Sequence, residues 1–241
     1  MRIPDQDLAA IKALGYTEDE ARFLYLVATY SGYFVPRQFL ALSGANWGPR
    51  TDRFTKKLLS RGHAARREYD RTGVYHLFGK GLYTAIGKPD LLNRRRHSIN
   101  SIRMRLVVLD FVIAHQHFDY LENAKDKFIY FSETLGIPQA ALPAKIYARS
   151  SPSRSSQRHF ADPFPVLLEG SGEQPDSFVT FCYVDSGEPD VAGFRHHLET
   201  YKPLLSQLSK FRFLYVSSST ANFPSAERCF ESFSRALRDN A

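Results

Sequence analysis

At 241 residues, 43% hydrophobic and 24% charged, the chain can hold one large domain or two small ones, with 19 Phe and 13 Tyr to build cores. No apolar run approaches the roughly 20 residues that span a bilayer, and the N-terminus lacks the apolar stretch of a signal peptide, so a membrane protein is not expected. The only cysteines, Cys182 and Cys229, stand in no paired motif, which argues against a disulfide framework or a cysteine zinc site and fits a reducing cytoplasm.

The net charge of +7 is unevenly spread. Residues 1–105 carry 19 Lys and Arg against 9 Asp and Glu, a balance of +10, whereas residues 106–241 carry 13 against 16. A basic half joined to a mildly acidic half suggests that the first meets a polyanion, although a solvated basic surface would give the same totals.

In chain order, "TEDEARFLYLVATYSG" opens with a capping box, Thr17 as N-cap and Glu20 at the third helical position. It predicts an amphipathic helix ending near Gly32. "VPRQFLALSG" predicts a second, shorter helix, with Pro36 in its first turn and Gly44 at its stop. Pro49 opens a third, running to Arg61. "HAARREY" and "VYHLF" are strand candidates around the turn "DRTG", and "KGLYTAIG" is a helical turn behind them. Three helices followed by a hairpin is the order of a winged helix-turn-helix. Next, the spacing of Leu106, Leu109, Val112 and Ile113 predicts one long helix from about Leu91 to Phe118, a connector or dimer strut with a basic first part.

The second half alternates. "DKFIYF" and "AKIYARS" are strand candidates, "SSPSRSSQRHFADP" a polar loop, and "PFPVLLEG" and "SFVTFCYVD" strands. "DVAGFRHHLETYKPLLSQLSK" is an amphipathic helix, "FRFLYVSS" a buried strand, and "NFPSAERCFESFSRALRD" a closing helix. The expected class is α+β: a winged helix-turn-helix over residues 1–88, a connecting helix over 89–125, and an α/β domain with a mixed sheet over 126–241.

The third helix carries the chemistry. Phe54 and Leu58 face inward, with Thr51 and Trp47 extending the stripe. Arg50, Arg53, Lys57 and Arg61 follow at i, i+3, i+7 and i+11 along another face, with Lys56 beside them. A recognition helix needs an apolar side to seat it and long donors outside for base edges and phosphates. Arg66, Arg67 and Arg71 cluster where a wing would meet the flanking backbone or minor groove. Double-stranded DNA is the expected partner, and a pairing of two copies on half-sites is plausible.

The run "EARFLYLVATYSGYFVPRQFLALSG", then "RTDRFTKKLLSRGHA" and "VYHLFGKGLY", resembles the replication-relaxation family of winged-helix proteins found on plasmids and integrative conjugative elements. Downstream, "ADPFPVLL" and "FVTFCYVDSGEPDVAGFRHHLETYKPLL" are similar to the family's second domain, so the resemblance spans about residues 17–220. It implies DNA binding in the replication, mobilisation or transcriptional control of an element, beside replication or mobilisation proteins, and no defined reaction.

An alternative is a metal-dependent endonuclease. Acidic residues around a central strand resemble a restriction-endonuclease-like core, with Asp162, Asp185 and Glu169 as candidate ligands. That core also needs a Glu where Tyr183 stands and a Lys where Asp185 stands, so the domain looks degenerate and a non-catalytic DNA-binding or adaptor role is the stronger expectation. His115 and His117, two apart on a helix, diverge, so no metal is expected there. With no P-loop and no G-x-G-x-x-G, no nucleotide cofactor is expected.

Overall fold

A computed structural model describes residues 3–44, 48–69, 72–147, 156–169 and 178–239. The chain is mixed α+β and divides into two units, Met1–His117 and Phe118–Ala241. No helix among the described residues is long and apolar enough to cross a membrane. The turn residue Arg71, Trp47 and the polar stretch 148–155 lie outside the described residues.

The first unit begins with a helix that sequence patterning did not predict, α1 (Asp5–Ala13), with Asp5 and Asp7 in its first turn and Lys12 in its last, as its dipole favours. The capping box holds as expected: Thr17 N donates to Glu20 Oε2 at 2.8 Å, and α2 (Glu18–Leu26) follows. The helix then widens into a π turn, Val27–Ser31, closed by Gly32 in the left-handed region at φ 77°. β1 (Tyr33–Phe34), α3 (Pro36–Ser43), α4 (Pro49–Ser60), β2 (Ala64–Tyr69) and β3 (Thr72–Leu77) complete the order. The three strands form an antiparallel sheet, β1-β3-β2. Its core is aromatic, with Phe23, Phe34, Phe39 and Phe54 all fully buried and Phe39 stacked on Phe54 at 4.4 Å. The predicted helical turn after the hairpin is α5 (Lys80–Ala85).

The predicted connector is not one helix. Leu92–Arg94 form a single 3-10 turn, the backbone extends at Arg95, and α6 starts only at Ile99, capped by Ser98, and ends at Ala114. The basic run Arg94–Arg96 therefore precedes the helix and does not oppose its dipole. Nor does the segment stand apart from the first unit, because it satisfies the π turn. An extra residue in a helical turn leaves carbonyls without intrahelical donors. Asn93 Nδ2 donates to Ala28 O at 3.0 Å and Thr29 O at 2.7 Å. The buried Arg105 donates to Ser31 O at 3.0 Å and to Asn93 Oδ1 at 2.5 Å. Gln38, wholly buried, bridges α3 to Leu106 O and Asp110, both at 2.9 Å. Seven of the sixteen α6 residues are buried.

The second unit holds a four-stranded sheet, β4-β7-β8-β9, formed by β4 (Asp119–Leu121), β7 (Val166–Glu169), β8 (Phe178–Asp185) and β9 (Phe211–Ser217). β4-β7 and β7-β8 are antiparallel. β8-β9 are parallel, joined through α8 (Ala192–Leu205), so the sheet is mixed. β8 is buried along almost its whole length, whereas β9, expected as a buried strand, is a half-buried edge beneath α9 (Phe223–Arg238). Two further expectations fail. "DKFIYF" is helical: Asn123 Oδ1 accepts from Lys125 N and Asp126 N, starting α7 (Ala124–Ile129), which runs on into a π turn. The end of the predicted polar loop is β6 (Ser156–His159), paired with β5 (Ala144–Tyr147) as a separate two-stranded hairpin.

Candidate nucleic-acid interface

α4 has four buried positions, Thr51, Phe54, Thr55 and Leu58. At 100° per residue these define the seated side, and the opposite side carries Arg53, Lys56 and Ser60, all exposed. Arg53 Nε reaches only the Pro49 carbonyl, at 3.3 Å, and Lys56 has no carboxylate partner among the described residues. These two cations are presented outward.

Arg50, Lys57 and Arg61 occupy the flank between the seated and outer sides, and there the expectation of one continuous outward basic stripe is corrected. Arg50 is ion-paired with Asp19 and lies over the Phe39 ring. Lys57 pairs with the buried Glu20 at 2.6 Å and reaches Gly15 O at 3.4 Å. Arg61 donates to Leu14 O. Lys57 and Arg61 sit 5.3 and 5.1 Å from the Tyr16 ring centre. The cause is the end of α1: its last carbonyls and the acidic first turn of α2 attract cations, and Tyr16 offers them a π face. Burial, against the pull of Arg61, raises the Tyr16 phenol to about 12, so it stays neutral while bonding His63 Nδ1 at 2.7 Å. These three cations hold α4 in place. A sequence signal for this existed, since "GYTEDE" supplies a carbonyl end and three acids, but α1 had to be known before it could be used.

On β2, Arg66 and Arg67 alternate faces. Arg66 bonds Glu68 at 3.0 Å and is about half exposed. Arg67 is exposed, opposite Val74, and has no carboxylate partner among the described residues. Arg53 and Lys56 on the helix and Arg67 on the hairpin are thus the uncommitted cations among the predicted contacts that the structure describes.

The three candidate nuclease acids are not brought together. Glu169 sits opposite Phe178, at the start of β8, and Asp185 ends that strand, about 23 Å away at roughly 3.3 Å per residue. Glu169 is held by Arg212 at 2.6 Å and Thr180 at 3.1 Å. Asp185 accepts from Gly187 N and Glu188 N, both at 2.8 Å, and from Tyr215 at 2.7 Å. These bonds outweigh burial and hold its carboxyl below the usual range. Asp162 accepts from Phe164 N at 3.1 Å and Tyr201 at 2.8 Å. Among the described residues no cluster of three or more His, Cys, Asp or Glu could hold a metal ion. His115 stacks on Phe111 at 4.3 Å, and Cys182 is a buried thiol whose pKa burial drives upward. Sequence reasoning missed Lys127, which is wholly buried, donates to Phe164 O at 2.6 Å and feels the charge of Asp162.

No family model, curated protein or solved structure matches the chain.

Proposed function

We propose that the first unit is a winged helix-turn-helix and that the protein reads double-stranded DNA, in the replication, mobilisation or transcriptional control of a mobile element. The observation that supports this best is the outward pair Arg53 and Lys56 on a helix seated by Phe54 and Leu58, next to a hairpin bearing Arg67. In this reading α4 enters the major groove and β2-β3 lies along the flanking backbone. The resemblance to the replication-relaxation family supplies the biological setting. The second unit is a degenerate restriction-endonuclease-like fold without catalysis, a reading favoured by the separation and saturation of its acids.

The test is fluorescence anisotropy on duplexes tiled across the DNA flanking the gene. If three phosphate contacts form, the logarithmic salt slope is about −2.7, or a roughly 40-fold loss of affinity between 50 and 200 mM salt. Arg53→Ala/Lys56→Ala removes about two units of that slope. Lys57→Ala leaves the slope unchanged, since its ammonium is already paired. Weak binding to every tile with no effect of the double variant overturns the reading in favour of a protein-binding adaptor. DNA cleavage with Mg²⁺ or Mn²⁺ that disappears in Asp162→Ala restores the endonuclease alternative.

A further inference from the structure

The second unit carries a cleft of about 280 Å³ that the DNA reading does not use, bounded by the β5 strand, the segment around Asp162 and α8. Its walls are aromatic: Phe164, Tyr183 and Tyr201 line it, and Tyr147 stands at the rim, 40% exposed. Two polar side chains, Asp162 and His197, are among its lining residues. Asp162 keeps lone pairs beyond the two bonds it accepts, and His197, only 8% exposed, has a buried Nε2 with no partner among the described residues. Burial lowers the His197 imidazole to about 4, so it is neutral at pH 7. The backbone leading into Asp162 is also unusual, because Phe160 is held at φ 48°, a conformation that non-glycine residues rarely adopt.

The rim adds a second, independent feature. Lys145 and Arg158 are direct cross-strand partners on the β5-β6 hairpin, and both lie over the Tyr147 ring, at 5.6 and 5.9 Å. Like charges directly opposite destabilise a hairpin. No carboxylate among the described residues neutralises either one, and both are exposed. An anion there would relieve the repulsion, and the same cations disfavour a cationic occupant of the cleft.

We propose that this cleft binds a guanine nucleotide, with the base between the aromatic walls and the phosphate against Lys145 and Arg158. A planar ring suits Phe164 and Tyr147. An acceptor-only carboxylate needs donors, and guanine presents two adjacent ones, N1–H and the 2-amino group, where adenine and cytosine place a donor beside an acceptor. The phosphate meets side chains, so no glycine-rich loop is needed.

The test is calorimetric titration of the full chain with guanosine 5′-monophosphate, adenosine 5′-monophosphate, guanosine, inorganic phosphate, and a short single strand beginning with a 5′-phosphorylated guanine. The guanine nucleotide is expected to bind saturably and at least tenfold more tightly than the adenine nucleotide. Asp162→Asn weakens it at least tenfold. Lys145→Ala, a change at an exposed position, weakens the nucleotide about fivefold and leaves guanosine unaffected. Tighter binding of the single strand assigns the occupant to a strand end, and tighter binding of the monophosphate assigns it to the free nucleotide. No saturable heat, equal affinity for both nucleotides, phosphate alone matching the nucleotide, or indifference to both variants overturns the proposal. This outcome is independent of DNA binding by the first unit.

Discussion

Gly32→Ala is the sharpest test of how the first unit is assembled. Gly32 sits at φ 77°, so any side chain there is strained, by about 1–2 kcal/mol for alanine. Space adds a second cost, because a Cβ would be driven into the Asn93 carbonyl, within 2.8 Å of its carbon atom. Asn93 cannot retreat freely, since its amide serves two carbonyls of the π turn and its oxygen receives Arg105. Losing even one of these buried bonds costs about 1–3 kcal/mol. The expected total is about 2–5 kcal/mol, a large part of the 5–15 kcal/mol typical of a domain. Gly44→Ala is the control. Gly44 has the same backbone handedness, φ 62°, but a Cβ there meets nothing within 4 Å, so only the strain applies. At about 3–5 °C per kcal/mol for a unit of this size, the extra 1–3 kcal/mol should make Gly32→Ala melt roughly 3–15 °C below Gly44→Ala. Thermal denaturation followed by circular dichroism measures the shift, and hydrogen exchange of peptides from residues 18–31 assigns it to the first unit. Equal melting of the two variants would refute the argument that the Asn93 approach matters.

Acid should destabilise both units. Burial lowers His76 and His197 to about 4, against about 6.5 when unfolded, so the fold prefers them neutral. Stability is therefore complete above pH 6.5 and falls as pH drops towards 4, by up to about 1.4 kcal/mol per pH unit for each histidine; urea melts at pH 7.5 and 5.5 check the sign. Lys57→Ala should lower stability by about 1–3 kcal/mol, because it strands the buried Glu20 carboxylate, whereas Lys56→Ala should change it by under about 0.5 kcal/mol in denaturant titrations. Cys229, partly exposed, should react with a thiol reagent in the native protein well before Cys182, which is buried and held protonated; equal rates would contradict that burial.

Much of the first unit was legible because local signals agree there. The Thr17–Glu20 box, Pro36, Pro49 and the period of Phe54 and Leu58 each mark one element, and the structure places them as expected. The direction of Lys57 and Arg61 was not legible. A helical wheel puts them on a flank, and only the carbonyl end of α1, 42 and 47 residues earlier, decides whether a flank faces protein or solvent. "DKFIYF" failed for a different reason. Its aromatic, β-branched composition favours a strand, but the Asn123 cap and the following acid start a helix before that preference acts. The cleft in the second unit was invisible, because residues 145, 162 and 197 share no motif and meet only through the hairpin and α8.

The π turn also sets where the protein can be cut. A fragment ending at residue 88, the boundary that patterning suggests, would contain α1 to α5 and the three-stranded sheet. It would leave the Ala28, Thr29 and Ser31 carbonyls without their donors from Asn93 and Arg105, and Tyr33 without the backbone of Arg95 and His97. The smallest autonomous piece therefore runs to about residue 117. Residues 92–105 act as a latch that closes only once they have been synthesised, so a nascent chain completes its first unit late, once α6 has emerged.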